Sequence, residues 1–167
     1  MIEVVVDDLA FLDVDAVLRP ASDTLDPVAS VSSRLDQLAG PAFAEERRLQ
    51  SAMEVGSAVV TGAGDLSAQF VIHTVIRGEH GNVSTDSVRR ALTSAWQRAS
   101  VWGLERVASP PIGAGAGQLG LAEAAALMAQ TFAAHSRSGR PPTSLQIIVD
   151  RNEEREIVEA AVRGVDR

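Results

Sequence analysis

From Ser84 onward the chain alternates between helix-period and strand-like segments, and this limits its fold more than any other feature. "STDSVRRALTSAWQRASVWG" places Val88, Leu92, Ala95, Ala99 and Trp102 on one helical face, with Ser84 or Thr85 as cap and Gly103 as stop. "ERVASPPI" is a short apolar strand. "LAEAAALMAQTFAAH" is a helix with Leu121, Ala125, Met128 and Phe132 inward. "SLQIIVD" is a strand, and "NEEREIVEAAVRG" a last helix with Ile157, Ala160 and Ala161 inward. With "QFVIHTVI" ahead of it, this order is a βαβ series, which implies a largely parallel sheet covered on both faces.

The first half reads differently. Ile2–Leu9, Val14–Pro20, "SAVVTG" and "QFVIHTVI" are strands in near succession, so the sheet is mixed. One helix intervenes, with Val31, Leu35 and Leu38 at i, i+4 and i+7 and a stop near Gly40-Pro41. "FAEERRLQSA" reads as its second turn or as a short helix. The expected organisation is a single domain over residues 1–167.

Composition removes several chemistries. The chain contains no cysteine, so disulfides, thiolate catalysis and Cys-ligated metals are excluded. All fifteen basic residues are arginine, which excludes lysine bases and Schiff bases. A net charge of −7 repels nucleic acid, so no nucleic-acid partner is expected. The acidic N-terminus lacks a signal-peptide pattern and no apolar run has membrane-span length; a cytoplasmic location away from membranes is expected. His, Asp and Glu show no metal-ligand spacing, and no cofactor is expected.

"ASPPIGAGAGQLGLAEAA" stands between a strand and a helix, where ligands bind in open α/β sheets. Its alternate glycines let several N–H groups approach one anion, and the following helix adds its positive end. It lacks the GK[ST] of a P-loop, and no acidic residue completes a dinucleotide fingerprint. The alternative is a tight turn that packs the helix onto the sheet.

Taken together, "DDLAFLDVDAVLRPAS", "LAGPAF", "VGSAVVTGAGDLSAQFVIHTVI" and "VASPPIGAGAGQLGLAEAA" resemble the successive signatures of a macrodomain. The resemblance spans nearly the whole chain. It implies a three-layer α/β/α sandwich with a mixed, largely parallel sheet of six or seven strands. It also implies that the chain binds ADP-ribose, a related nucleotide or an ADP-ribosylated protein. Asp8, followed by Leu9, matches the adenine-recognising position; it reads equally as a solvated acid at a strand end. Ile112, Gly113, Ala114, Gly115, Ala116 and Gly117 match the family's second phosphate loop.

Elsewhere the pattern is eroded. The family's Asn-Ala-Ala-Asn is Arg19-Pro20-Ala21-Ser22, and Ser22 reaches less far than the asparagine that touches the distal ribose. Arg19 reads as a solvated side chain rather than a phosphate ligand. The first glycine-rich loop is Val28-Ala29-Ser30-Val31, leaving Ser30 and Val31 as the matching contacts. Ser32 stands where hydrolytic members often have an acid; Ser32 and Ser33 read as helix caps. No aromatic stands near the last strand to cover the base, only Val149 or Asn152. His73 reads as a satisfied core histidine. The expected function is ADP-ribose or nucleoside diphosphate binding without efficient hydrolysis. The alternatives are an ADP-ribosyl or O-acyl-ADP-ribose hydrolase, for which only Ser22 and Asp26 are available, and an interaction protein that has lost the ligand. High Arg and Ala with no Lys, Tyr or Cys fit a GC-rich bacterial genome.

Overall fold

The computed structural model describes residues 1–115 and 118–165. Its strands are β1 (Ile2–Val6), β2 (Ala16–Ser22), β3 (Ala58–Gly62), β4 (Phe70–Arg77), β5 (Arg106–Ser109) and β6 (Ser144–Val149). They form one six-stranded sheet in the order β1-β6-β5-β2-β4-β3. Every pairing is parallel except β3 with β4. The helices are α1 (Ser30–Arg48), α2 (Thr85–Trp102), α3 (Leu121–Ser136) and α4 (Asn152–Val165). The expected α/β sandwich and mixed, largely parallel sheet are thus formed.

Side-chain alternation along β2 and β4 separates two cores. Leu18 and Ile72 join Trp96, Met128 and Phe132 under α2 and α3, where α4 adds Val158. Val17 and Val71 face the other way, onto Leu35, Ala39 and Phe43 of α1. Three helices cover one face and α1 covers the other. Each large apolar side chain buried in these layers contributes about 1.5–3 kcal/mol. Trp96, fully buried, donates its Nε1–H to Thr131 Oγ1 at 2.9 Å, so its polar atom is not orphaned.

Several element boundaries differ from expectation for local reasons. β1 stops at Val6 rather than running to Leu9, because Asp8 Oδ1 accepts the Ala10 N–H at 3.2 Å and turns the chain into a 3-10 turn over Leu9–Phe11. β2 runs through Pro20 to Ser22. A proline fits this central strand because β5 pairs with β2 only at Ala16 and Val17, leaving no ladder acceptor opposite Pro20. The Pro20 carbonyl takes the Ser32 hydroxyl instead, at 2.7 Å. α1 breaks at Gly40, as expected, and resumes through Arg48. Ser84 caps α2 and Gly103 closes it in a left-handed conformation.

Two inward assignments are corrected. Trp102 is 51% exposed at the end of α2, with its ring edge on Phe70. In α4 the inward stripe is Val158, Ala161 and Val162, while Ile157 and Ala160 face solvent. The helix carries two apolar stripes one residue apart, and packing against α3 and β1 selects the one containing Val158.

Candidate functional site

A cleft of about 1000 Å³ opens beyond the carboxyl ends of β1, β5 and β6. This is where an open parallel sheet offers strand-end loops and helix N-termini to a ligand. Its two ends have opposite polarity.

One end is acidic. Asp7, Asp8, Asp150 and Glu154 line it, opposed by Arg34. Arg34 Nη2 donates to Asp8 Oδ2 at 2.5 Å. That bond holds the Asp8 carboxyl below the usual carboxylate range, against a smaller desolvation effect, and the Ala10 N–H assists. Asp8 therefore presents an ionised, oriented carboxylate to the cleft, suited to an amino hydrogen on a base.

The other end suits an anion. α1 and α3 both begin there, with Ala29 and Gly120 as N-caps and no side-chain cap on either. Their first-turn N–H groups lack side-chain partners, and both helices direct their positive ends to one place. Between β5 and α3 the glycine-rich loop folds on itself, with Leu119 N–H to Gly113 O at 2.9 Å and Gln118 N–H to Gly115 O at 3.0 Å. Gly113 has φ +94°, and a Cβ there would lie 2.8 Å from Val88 Cγ2. Gly115 has φ +149°, a conformation side chains rarely adopt.

Asp8, Leu9, Ser30, Val31, Ala114 and Gly115 all line this cleft. Ile112 and Gly113 are buried behind it and shape the loop rather than face a ligand. Ala116 and Gly117 lie outside the described residues. Ser22 is not in the cleft wall and is 3% exposed. Its N–H donates to Asp26 O at 3.0 Å, and its carbonyl accepts from Leu25 N–H at 2.9 Å. Its hydroxyl accepts from Asp26 N–H and lies 3.1 Å from Thr24 Oγ1, which donates to Asp26 Oδ2. Leu25, at φ 63° and 1% exposed, fills the inside of this turn. Asp26 does not reach the cleft either.

Arg19 is neither solvated nor a ligand. It is fully buried and donates from Nε and Nη2 to both oxygens of Asp36, at 2.6 and 2.7 Å. Burial pulls its pKa down and Asp36 opposes this. Arg47 also donates to Asp36, at 2.9 Å. His73 sits beneath, with Nε2 2.8 Å from Thr61 Oγ1 and Nδ1 3.2 Å from Arg19 Nη1. Desolvation first, then the two arginines, push its pKa well below the ordinary value, so it is a neutral core histidine. Ser32 and Ser33 do not cap α1: the Ser32 hydroxyl is spent on Pro20 O, and the cap position is Ala29.

The sequence reading missed Arg34, Gln118, Asp150 and Glu154 as cleft residues. Arg34 falls one helical turn after Ser30 and Val31, a spacing that could have placed it on the same face. Gln118 is the one long polar side chain in the glycine-rich stretch. Among the described residues no three His, Asp or Glu converge to hold a metal ion, and no helix is long and apolar enough to cross a membrane.

Comparison with known proteins agrees with the fold. The Macro domain family profile matches residues 19–128. An uncharacterized protein of Aeropyrum pernix is 34% identical over 161 residues, 96% of this chain and 80% of that protein. An uncharacterized Mycobacterium tuberculosis protein is 29% identical over 85% of this chain, which spans only 38% of that relative. O-acetyl-ADP-ribose deacetylase 1 of Pantoea vagans is 32% identical over 120 residues, 68% of this chain and 70% of the relative. Among solved structures, a mutant Oceanobacillus iheyensis macrodomain with ADPR superposes with a TM-score of 0.84 at 18% identity, covering 99% of this chain and 93% of that one.

Proposed function

The chain belongs to the macro domain family, and on that premise we propose that it binds ADP-ribose or a related nucleoside diphosphate without efficient hydrolysis. The opposite polarity of the two cleft ends carries this reading. A molecule with an amino-bearing base at one end and a diphosphate at the other matches Asp8 and the two uncapped helices. The ligand is free or carried on a modified protein.

Weak catalysis is part of the proposal because the candidate groups Ser22, Asp26 and His73 stand outside the cleft wall, while its carboxylates Asp7, Asp8, Asp150 and Glu154 gather at the ends of β1 and β6. General-base work needs a titratable group within about 2.6–3.2 Å of the proton it removes. Ser22 and Asp26 bond to their own turn, and His73 is buried and neutral. The test is calorimetric titration with ADP-ribose, followed by release assays on O-acetyl-ADP-ribose and on an ADP-ribosylated protein. Micromolar binding without turnover is expected; no heat at millimolar ADP-ribose would overturn the reading in favour of an interaction protein. The Pantoea vagans relative supports a second reading, deacetylation, which turnover of O-acetyl-ADP-ribose would establish.

A further inference from the structure

We infer that the open edge of β1 is an interface, and that its occupant is the β1 strand of a second copy of this chain, paired antiparallel about Val4. The inference concerns the side of the sheet and does not rest on the binding reading. Three observations carry it.

The first is that the sheet ends in two unlike edges. At the β3 edge, side chains of the flanking helices take outward backbone groups. Arg98 of α2 donates to Ala58 O at 3.1 Å, and the Gly62 N–H donates to Glu46 Oε1 of α1 at 3.1 Å. At the β1 edge no described side chain does this. Pairing with β6 uses the odd positions of β1: Leu145 N–H donates to Met1 O at 2.9 Å, and Asp7 N–H donates to Val149 O at 3.2 Å. The N–H and C=O groups of Ile2, Val4 and Val6 therefore point away from β6. Among the described residues no hydrogen bond reaches them. A row of unpaired backbone groups is a template for another strand.

The second is self-complementarity. Antiparallel pairing centred on Val4 sets Val4 against the second copy's Val4, and Ile2 against the second copy's Val6. Each is a bonded pair that exchanges both N–H···O bonds, so every outward group finds a partner. The contact is isologous and closes as a two-fold dimer. A contact between β1 and the β3 edge of another copy would grow an open filament, and the Arg98 and Glu46 side chains block it.

The third is charge. Glu3 is the one charged side chain between Ile2 and Val6. The Val4-centred register sets it against the second copy's Val5. Sliding by two residues sets it against a second Glu3 in one direction and against Asp7 in the other, and like charges directly opposite are destabilising. Either slide also leaves one outward residue of each strand unpaired. In the Val4-centred register Val6, 37% exposed in the single chain, is covered by the second copy's Ile2.

The test is sedimentation velocity of the full chain across a concentration series. A pairing this short is a small interface, so a dissociation constant on the order of 10–100 μM is expected. Monomer at every concentration up to about 500 μM overturns the inference and leaves the edge to a strand of another protein. Val4→Pro removes the central outward N–H and no bond of the β1–β6 ladder. It is expected to weaken the dimer at least about tenfold with little change in melting temperature; an unchanged dimer overturns the inference. A second arm reads the register and holds even where Val4→Pro does not fold. The chain has no cysteine, so Glu3→Cys and Val5→Cys chains can be mixed and oxidised without competing thiols. Directly opposed positions of a non-bonded antiparallel pair lie within disulfide reach. The mixed disulfide between positions 3 and 5 is expected well above its statistical share. Either symmetric disulfide in excess, or no disulfide at all, overturns the inference.

Discussion

Two neighbouring regions treat their polar groups in opposite ways. Around residues 19–27, most buried donors and acceptors are paired within the protein, Arg19 with Asp36, Ser32 with Pro20 and Ser22 with Asp26, and Asp23 Oδ1 is the exception. Around the cleft, first-turn N–H groups of two helices have no side-chain cap, and the Asp8 carboxylate, paired only with the exposed Arg34 and the Ala10 N–H, stays partly open to solvent. α1 belongs to both regions, since Asp36 anchors it inside while its N-terminus opens on the cleft. Polar groups satisfied internally hold the fold; polar groups left to water are free to exchange it for a ligand. Substitutions should therefore separate: the paired region governs stability, and the open region governs affinity.

The largest expected effect breaks the paired region. Asp36→Ala leaves Arg19 buried without its partner, and a loss of about 3–5 kcal/mol in chemical denaturation is expected. A loss under about 1 kcal/mol would mean that the pair is not desolvated as described.

Next comes the open region. Gly115→Glu places a carboxylate, and a side chain at φ +149°, in the anion site. Affinity for ADP-ribose is expected to fall at least about 100-fold, since like charges brought together cost several kcal/mol. Unchanged calorimetric affinity would move the phosphates elsewhere.

A third measurement returns to the paired region through pH. His73 is neutral when folded, with a pKa below its ordinary 6.5, so the unfolded chain takes up a proton that the native state refuses. Stability is then complete above that value and declines as pH falls below it, by up to about 1.4 kcal/mol per pH unit. His73→Gln should flatten the melting temperature between pH 7 and 5; an unchanged slope would assign the acid sensitivity to other groups.

The smallest effect sharpens the contrast. Asp8→Ala should weaken ADP-ribose binding about fivefold, the roughly 1 kcal/mol of one hydrogen bond at a partly exposed site, while stability changes by less than about 1 kcal/mol because the Arg34 pair is exposed. A large stability loss with intact affinity would make Asp8 a structural cap.

What the chain could state on its own was periodic or local. The βαβ series from α2 to α4, the Ser84 cap, the Gly103 stop and the break at Gly40 follow from side-chain spacing and from residues with restricted backbone choices. The glycine-rich loop could be placed between strand and helix for the same reason, and Asp8 could be placed at the end of β1. The partnership of side chains distant in sequence had to wait for the folded chain. Arg19 reads as solvated until α1 brings Asp36 across seventeen residues, and Ser22 and Asp26 read as available until their turn closes. Whether Ile157 or Val158 faces inward depends on how α4 is rotated against α3 and β1. Local sequence sets which conformations the backbone prefers, whereas the desolvation that decides if a polar group is a partner or a ligand site arises only when separate elements pack.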